Sequence, residues 1–160
     1  MTVRTHITLA KTVTVRDSNQ RPLARHKPIG FWYSVNGDWE RWCRSDEPGW
    51  LKGYEHAVTL GDEKLLVIRT QKKLDQFHDE YCASLPGLNK KFYIDWSRVA
   101  QAYDGIEIPK YFWDRRHDVN MLWYYTWDCA SGCIWRPKGV RVEFAKKLPK
   151  PKGDHRARRI

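Results

Sequence analysis

Long apolar runs are missing from this chain. No stretch of its 160 residues approaches the ~18 consecutive apolar residues that a membrane-crossing helix needs. Cysteine is scarce: Cys43, Cys82, Cys129 and Cys133 form no C-x-x-C, and the Cys129/Cys133 spacing matches no zinc finger or ribbon, so no metal is expected. The first residues lack an apolar stretch followed by a small-residue cleavage site, so the expected setting is the cytoplasm, with reduced thiols. G-x-G-x-x-G, the P-loop, H-E-x-x-H and G-x-S-x-G are all absent, which removes the common dinucleotide, phosphate, zinc-protease and serine-hydrolase signatures. There is no internal repeat, and only the last fifteen residues are low in complexity.

What the chain has in excess is tryptophan and positive charge. There are nine Trp, and the net charge is +10. Residues 146–160 hold seven basic residues against one acid, Asp154, which leaves +6 there and +4 for the other 145 residues. The reading is therefore one domain over residues 1–145 and a basic, Pro-interrupted, disordered tail over 146–160. Such a tail can track phosphates or be a solvated terminus.

Elements follow from pattern and caps. Residues 2–16, rich in Thr and Val, predict one or two strands. Phe31–Val35, between Pro28-Ile-Gly30 and Asn36-Gly37, predicts a strand. Residues 38–44 predict a short helix capped by Asp38, with Trp39 and Trp42 at helical spacing. Tyr54–Leu60 and Lys64–Arg69 predict a β-hairpin. Thr70 opens a helix to about Ala83, with Leu74, Phe77 and Tyr81 as its buried stripe, and Asp95 opens another over Trp96–Tyr103. Ile106–Ile108, Leu122–Tyr125, Cys133–Trp135 and Val140–Phe144 read as strands, and 109–121 as a polar and aromatic loop. About seven short strands and two or three helices, not strictly alternating, make the fold class α+β with a mixed or antiparallel split sheet.

Three segments carry candidate chemistry: Val15-Arg16-Asp17-Ser18 at a strand end, Phe31-Trp32-Tyr33-Ser34, and Trp127-Asp128-Cys129-Ala130-Ser131-Gly132-Cys133-Ile134-Trp135. His78, with Asp79 and Glu80 beside it but no second histidine at i+4, reads as a surface residue.

The order of these segments resembles the mono-ADP-ribosyltransferases, above all compact phage and bacterial members with a Lys27-Pro-x-Gly-x-Trp-x-Ser and Trp-Asp-Cys-x-Ser pattern. In that family the first strand supplies an Arg or His to the ribose and phosphate of NAD+. A second strand braces the nicotinamide pocket, and a late strand carries a catalytic Glu or Gln/Glu-x-Glu. The resemblance covers roughly residues 2–144. It implies a cofactor site of Arg16, Ser18, Phe31, Trp32, Tyr33 and Ser34, with Arg4 and His6 as alternatives to Arg16 for the first-strand basic residue. Ala102–Ile106 resembles the strand preceding the catalytic one. On the late strand Asp128 and Ala130, two apart, are expected to share a face. Ala130 stands where the resemblance implies the catalytic carboxylate, with Ser131 and Ser34 nearby, so the chain reads as an inactivated variant or as one in which Asp128 has the role. The implied activity is NAD+-dependent ADP-ribosyl transfer by a monomer. The expected acceptor is a nucleic acid, with a single-stranded or flipped base stacking on Tyr111, Phe112 and Trp113 and phosphates meeting Arg115 and Arg116. The competing reading is a non-catalytic nucleic-acid-binding or inhibitor protein.

Overall fold

The computed structural model describes residues 1–21, 25–87 and 89–149. In chain order its elements are β1 (Arg4–Thr8), β2 (Phe31–Val35), α1 (Asp38–Asp46), a 3₁₀ turn (Pro48–Trp50), β3 (Tyr54–Thr59), β4 (Leu65–Val67), α2 (Gln71–Tyr81), β5 (Cys82–Ala83), β6 (Tyr93–Ile94), α3 (Trp96–Ala102), β7 (Gly105–Ile108), α4 (Trp113–Arg116), α5 (Leu122–Tyr125), β8 (Ser131–Ile134) and β9 (Arg141–Lys147). The class is α+β. Seven strands form one mixed sheet in the order β4-β7-β8-β2-β1-β3-β9, and β5-β6 form a separate pair. Only β4 and β7 run parallel in the large sheet.

β2 sits at the centre because aromatic and β-branched residues suit a strand paired on both sides. Asn36 and Gly37 end it at φ 52° and 71°, the left-handed region that Asn and Gly tolerate. Gly37, not Asp38, precedes the first turn of α1 as its cap residue, and Asp38 turns its carboxylate elsewhere. Thr70 and Asp95 do cap their helices, accepting from the backbone N–H of Lys73 and Arg98.

β3 and β4 are not a hairpin. β3 pairs with β1 and β9, and β4 pairs with β7 at the far side of the sheet. A flat sheet would separate β3 from β4 by five inter-strand spacings, ~24 Å. The five residues between them reach at most ~20 Å when stretched, so the sheet must curl. The link is pinned at Glu63, whose carboxylate accepts from the backbone N–H of Lys138 and Val140 at 2.7 and 2.8 Å.

The curl gives the sheet two unlike faces. The outer face is covered by helices: Ile106, Ile108 and Cys133 meet Leu74 and Phe77 of α2, Trp96 and Val99 of α3, and Trp123 and Tyr124 of α5. Four tryptophans, Trp96, Trp123, Trp127 and Trp135, are fully buried there. The inner face holds a smaller cluster of Tyr33, Val35, Val58, Ala130 and Ile134.

The aromatic run Leu122–Tyr125 is a helical turn rather than a strand. Burial of Trp123 and Tyr124 against α2 and α3 overrides their β-propensity. The 109–121 loop contains α4. Residues 9–16 form no strand, because neither β2 nor β3 extends far enough to pair with them. β9 reaches Lys147, so Lys146 and Lys147 belong to the sheet, while residues 150–160 of the expected tail lie outside the described residues. No helix among the described residues is long and apolar enough to cross a membrane.

Candidate functional site

β1 and β2 pair at only two positions, Arg4↔Val35 and Thr5↔Ser34, and then part. His6 bridges the gap: its Nδ1 donates to the carbonyl of Trp32 at 2.7 Å, since a carbonyl can only accept. A cleft of about 250 Å³ opens at this split. Register builds its floor. Thr5 lies opposite Ser34, and Ser34 opposite Ser131, so three hydroxyls from β1, β2 and β8 stand in a row on one face. Trp32, two residues from Ser34, shares that face.

α1 forms one wall. Glu40 accepts from Thr5 Oγ1 at 2.8 Å and from Ser34 Oγ at 3.2 Å, and Ser34 in turn accepts from the backbone N–H of Trp39 at 3.1 Å. Asp38 accepts from the backbone N–H of Ala130 at 2.7 Å, tying α1 to the segment entering β8. Trp39, Trp42 and Trp50 cluster on this wall, with Trp39 and Trp42 stacked at 5.0 Å between centroids. Trp127, Asp128 and Cys129 also line the cleft. Trp127 meets Trp32 edge-on at 4.9 Å. Asp128 takes Arg116 at 3.2 Å, and Arg116 also donates to the Tyr111 hydroxyl at 3.2 Å. Lys27 stands at the cleft with its ammonium 5.3 Å from the Trp32 ring centroid.

Electrostatics sort these groups. Desolvation holds the His6 pKa below the ordinary histidine value, against the opposing Trp32 hydrogen bond, so the imidazole is neutral at pH 7. Lys27 is exposed over much of its surface, yet crowding around its ammonium pulls its pKa down, an effect opposed by Asp128. Burial pushes the Cys129 thiol up to about 12, which removes it as a thiolate nucleophile.

The residues singled out in the sequence divide. Trp32, Ser34, Asp128 and Ser131 meet at the cleft. Arg16 does not: it is exposed and on no strand. Ser18 donates its backbone N–H to the carbonyl of Trp135, just past the end of β8 and four residues from Ser131, so ~13 Å from the hydroxyl row. Phe31 packs on His6 with ring centroids 4.7 Å apart. Tyr33 points to the inner face, where its hydroxyl donates to Glu107 at 2.9 Å. That carboxylate also receives Arg4, Nε at 2.6 Å and a second nitrogen at 3.1 Å. Tyr33 crosses over Gly132 to reach it; a Cβ there would collide with the ring.

Ala130 and Asp128 do not share a strand face, because β8 begins only at Ser131. Ala130 is 4% exposed and packs with Tyr33, Val35, Val58 and Ile134 on the inner face, away from Ser131. Tyr111 and Phe112 are buried in the outer core, so neither ring is free to stack on a base. Arg115 forms a two-nitrogen pair with Asp75 at 2.7 and 2.8 Å. Of that loop Trp113 alone among the three aromatics is exposed, at 61%, and the exposed Tyr125 joins it: Arg116 lies between them, 5.6 Å from the Trp113 centroid and 5.2 Å from that of Tyr125.

Sequence reasoning missed Glu40 and Trp39. Nothing local marks them, because their role depends on where α1 docks. Lys27 sits inside the Lys27-Pro-x-Gly-x-Trp-x-Ser pattern, which was the available signal. No family model matches the chain, and neither a curated protein nor a solved structure is detectably similar to it.

Proposed function

We propose that the chain is an NAD+-dependent ADP-ribosyltransferase whose cofactor enters the cleft at the β1–β2 split, and whose acceptor is a nucleic acid. The observation that carries this reading is adjacency: β2 and β8, which hold the second segment and the end of the late segment of the resemblance, are direct neighbours. β1, which carries the alternative basic residues Arg4 and His6 in place of Arg16, pairs with β2, and hydroxyls of all three strands line one cleft. In this reading His6, at the split, is the first-strand basic residue. The cleft is smaller than the ~300–1,000 Å³ of common ligand pockets, so it takes the nicotinamide-ribose half and leaves the adenosine half outside. Trp32, half-buried at the cleft, offers flat surface to the nicotinamide ring.

Breaking the glycosidic bond of NAD+ leaves positive charge on the ribose. A carboxylate beside that ribose binds the transition state more tightly than the ground state. Asp128 is the carboxylate lining the cleft, and Ala130 is a packing residue of the inner face. Arg116 links the cleft to the acceptor: it pairs with Asp128 on one side and is flanked by the exposed Trp113 and Tyr125, on which an unpaired base can stack.

The test is NAD+ itself. At a hundredfold excess over Kd the folded state gains ~2.7 kcal/mol, and at ~2–4 °C per kcal/mol for a chain of this size the melting temperature rises by about 5–10 °C. Asp128→Asn keeps that shift and loses nicotinamide release by about 10²–10³-fold. No shift with NAD+ in the parent protein refutes the reading.

A further inference from the structure

The hydrogen-bonding groups on the residues lining the cleft do not balance. Several acceptors are engaged: the Trp32 carbonyl by His6, the Cys129 carbonyl by Ser131 and Asp128 Oδ1 by Arg116, while Glu40, bonded to the lining residues Thr5 and Ser34, is engaged by both. Two donors are left over. The Trp127 indole N–H is fully buried and has no partner. The Lys27 ammonium has neither a hydrogen bond nor an ion pair among the described residues, although it stands over the Trp32 ring. The Trp127 N–H is sealed from solvent and does not reach the cleft, so the uncommitted charge at the cleft is the Lys27 ammonium, which suits an anionic, acceptor-rich ligand. The other cations near the split cannot fill that role. Arg4 is spent on Glu107, Arg116 on Asp128, and His6 is neutral at pH 7.

We propose that Lys27 is the phosphate-binding residue of this cleft, so that the ligand is recognised as a nucleotide rather than as a nucleoside. The inference rests on the reading of the cleft as a nucleotide site, and it assigns to a residue before β2 the charge that the sequence pattern would seek on the first strand. An ammonium presents a compact charge on a flexible stem. From its place over Trp32 it meets a phosphate attached to a ribose whose base or nicotinamide ring lies on the aromatic wall.

Calorimetric titration of the full chain with two ligand pairs tests this: nicotinamide mononucleotide against nicotinamide riboside, and AMP against adenosine. The phosphorylated member of a pair should bind ~10-fold or more tightly, the scale of one charge-assisted hydrogen bond. Lys27→Met, which keeps the apolar stem over Trp32, should bring that ratio close to one with an unchanged melting temperature, and Lys27→Arg should restore it. Equal binding of both members by the parent protein, or an unchanged ratio in Lys27→Met, overturns the assignment. Preference for AMP over adenosine without binding of any nicotinamide ligand supports Lys27 while refuting the NAD+ reading. Binding of none of the four overturns both.

Discussion

The two ends of β8 differ in one respect: at one end the protein satisfies its own polar groups, and at the other it does not. Beyond Ile134, Asp104 is 1% exposed and saturated. Its carboxylate takes Arg136 and Lys138, each at 2.8 Å, and the backbone N–H of Lys64 at 2.9 Å. Its carbonyl takes the N–H groups of Trp135 and Arg136, and the Trp135 indole donates to the Tyr103 carbonyl. At the Ser131 end, Lys27 and the Trp127 indole remain without partners beside an open cleft. Asp104 and Asp128 are both aspartates meeting arginine, and arginine alone does not distinguish structure from function. The closed end is completed by backbone and side chains of this chain, whereas at the open end Lys27 has neither a hydrogen bond nor an ion pair among the described residues.

The largest expected effect comes from forcing a charge into the wrong face. Ala130→Glu introduces a carboxylate among Tyr33, Val35, Val58 and Ile134. Keeping it neutral at pH 7 means raising its pKa by roughly three units, which costs ~4 kcal/mol before any overpacking. The variant should unfold at markedly lower denaturant and gain no nicotinamide release. A folded variant that releases nicotinamide would mean that the open end extends through to the inner face, and that Asp128 is not its carboxylate.

Next in size is Asp104→Ala at the closed end. It leaves the Lys64 N–H without its side-chain acceptor and releases two cations. Arg136 and Lys138 are about half exposed, at 47% and 49%, so water takes over part of their pairing. The expected loss is therefore ~2–4 kcal/mol rather than the full penalty of a broken buried pair. Denaturant titration gives this value, and NAD+ affinity per folded molecule should stay unchanged. A loss of affinity would mean that the two ends are coupled through β8.

The closed parts of the molecule were the more legible in sequence. Phe31–Val35 could be bounded from Gly30 and Asn36-Gly37, and α2 and α3 from Thr70 and Asp95, because these signals act within a few residues. Leu74, Phe77 and Tyr81 formed the buried stripe that their spacing implies. What required the tertiary structure was pairing. Thr and Val recur through residues 2–16, but only Arg4–Thr8 pairs into the sheet, so His6 lies at the split and Arg16 on no strand. The link from β3 to β4 looks like a hairpin turn until Glu63 ties it to Lys138 and Val140, distant in sequence. Ala130 could be read as two along a strand from Asp128 only because the sequence does not say that β8 starts at Ser131. Glu40 reaches Thr5 and Ser34 through the docking of α1, which no local pattern announces.

The smallest expected effect separates the two ends by pH. His6, at the open end, has its pKa lowered by desolvation, so the folded state favours the neutral ring. Below the ordinary value of 6.5 the unfolded chain takes up this proton first, and stability falls as the pH drops from 6.5 toward the lowered folded value. His78, desolvated beside Trp123 and accepting from its indole at 3.2 Å, adds to the same window with the same sign. Asp104, at the closed end, has its pKa held below the ordinary 3.8: burial pushes upward, but Lys138, the Lys64 N–H and Arg136 together outweigh it. Its contribution is fully present above pH 3.8 and is lost only as the pH falls through the lowered folded value. Denaturant stability measured from pH 8 down to pH 3 should therefore fall in two steps. His6→Gln should shrink the first step, leaving the share of His78, and should not touch the second. Asp104→Ala should remove its share of the second step and leave the first intact. If His6→Gln leaves the loss below pH 6.5 unchanged, the imidazole at the split is not held neutral. The charge at the mouth of the cleft would then be shared between His6 and Lys27 instead of resting on Lys27 alone.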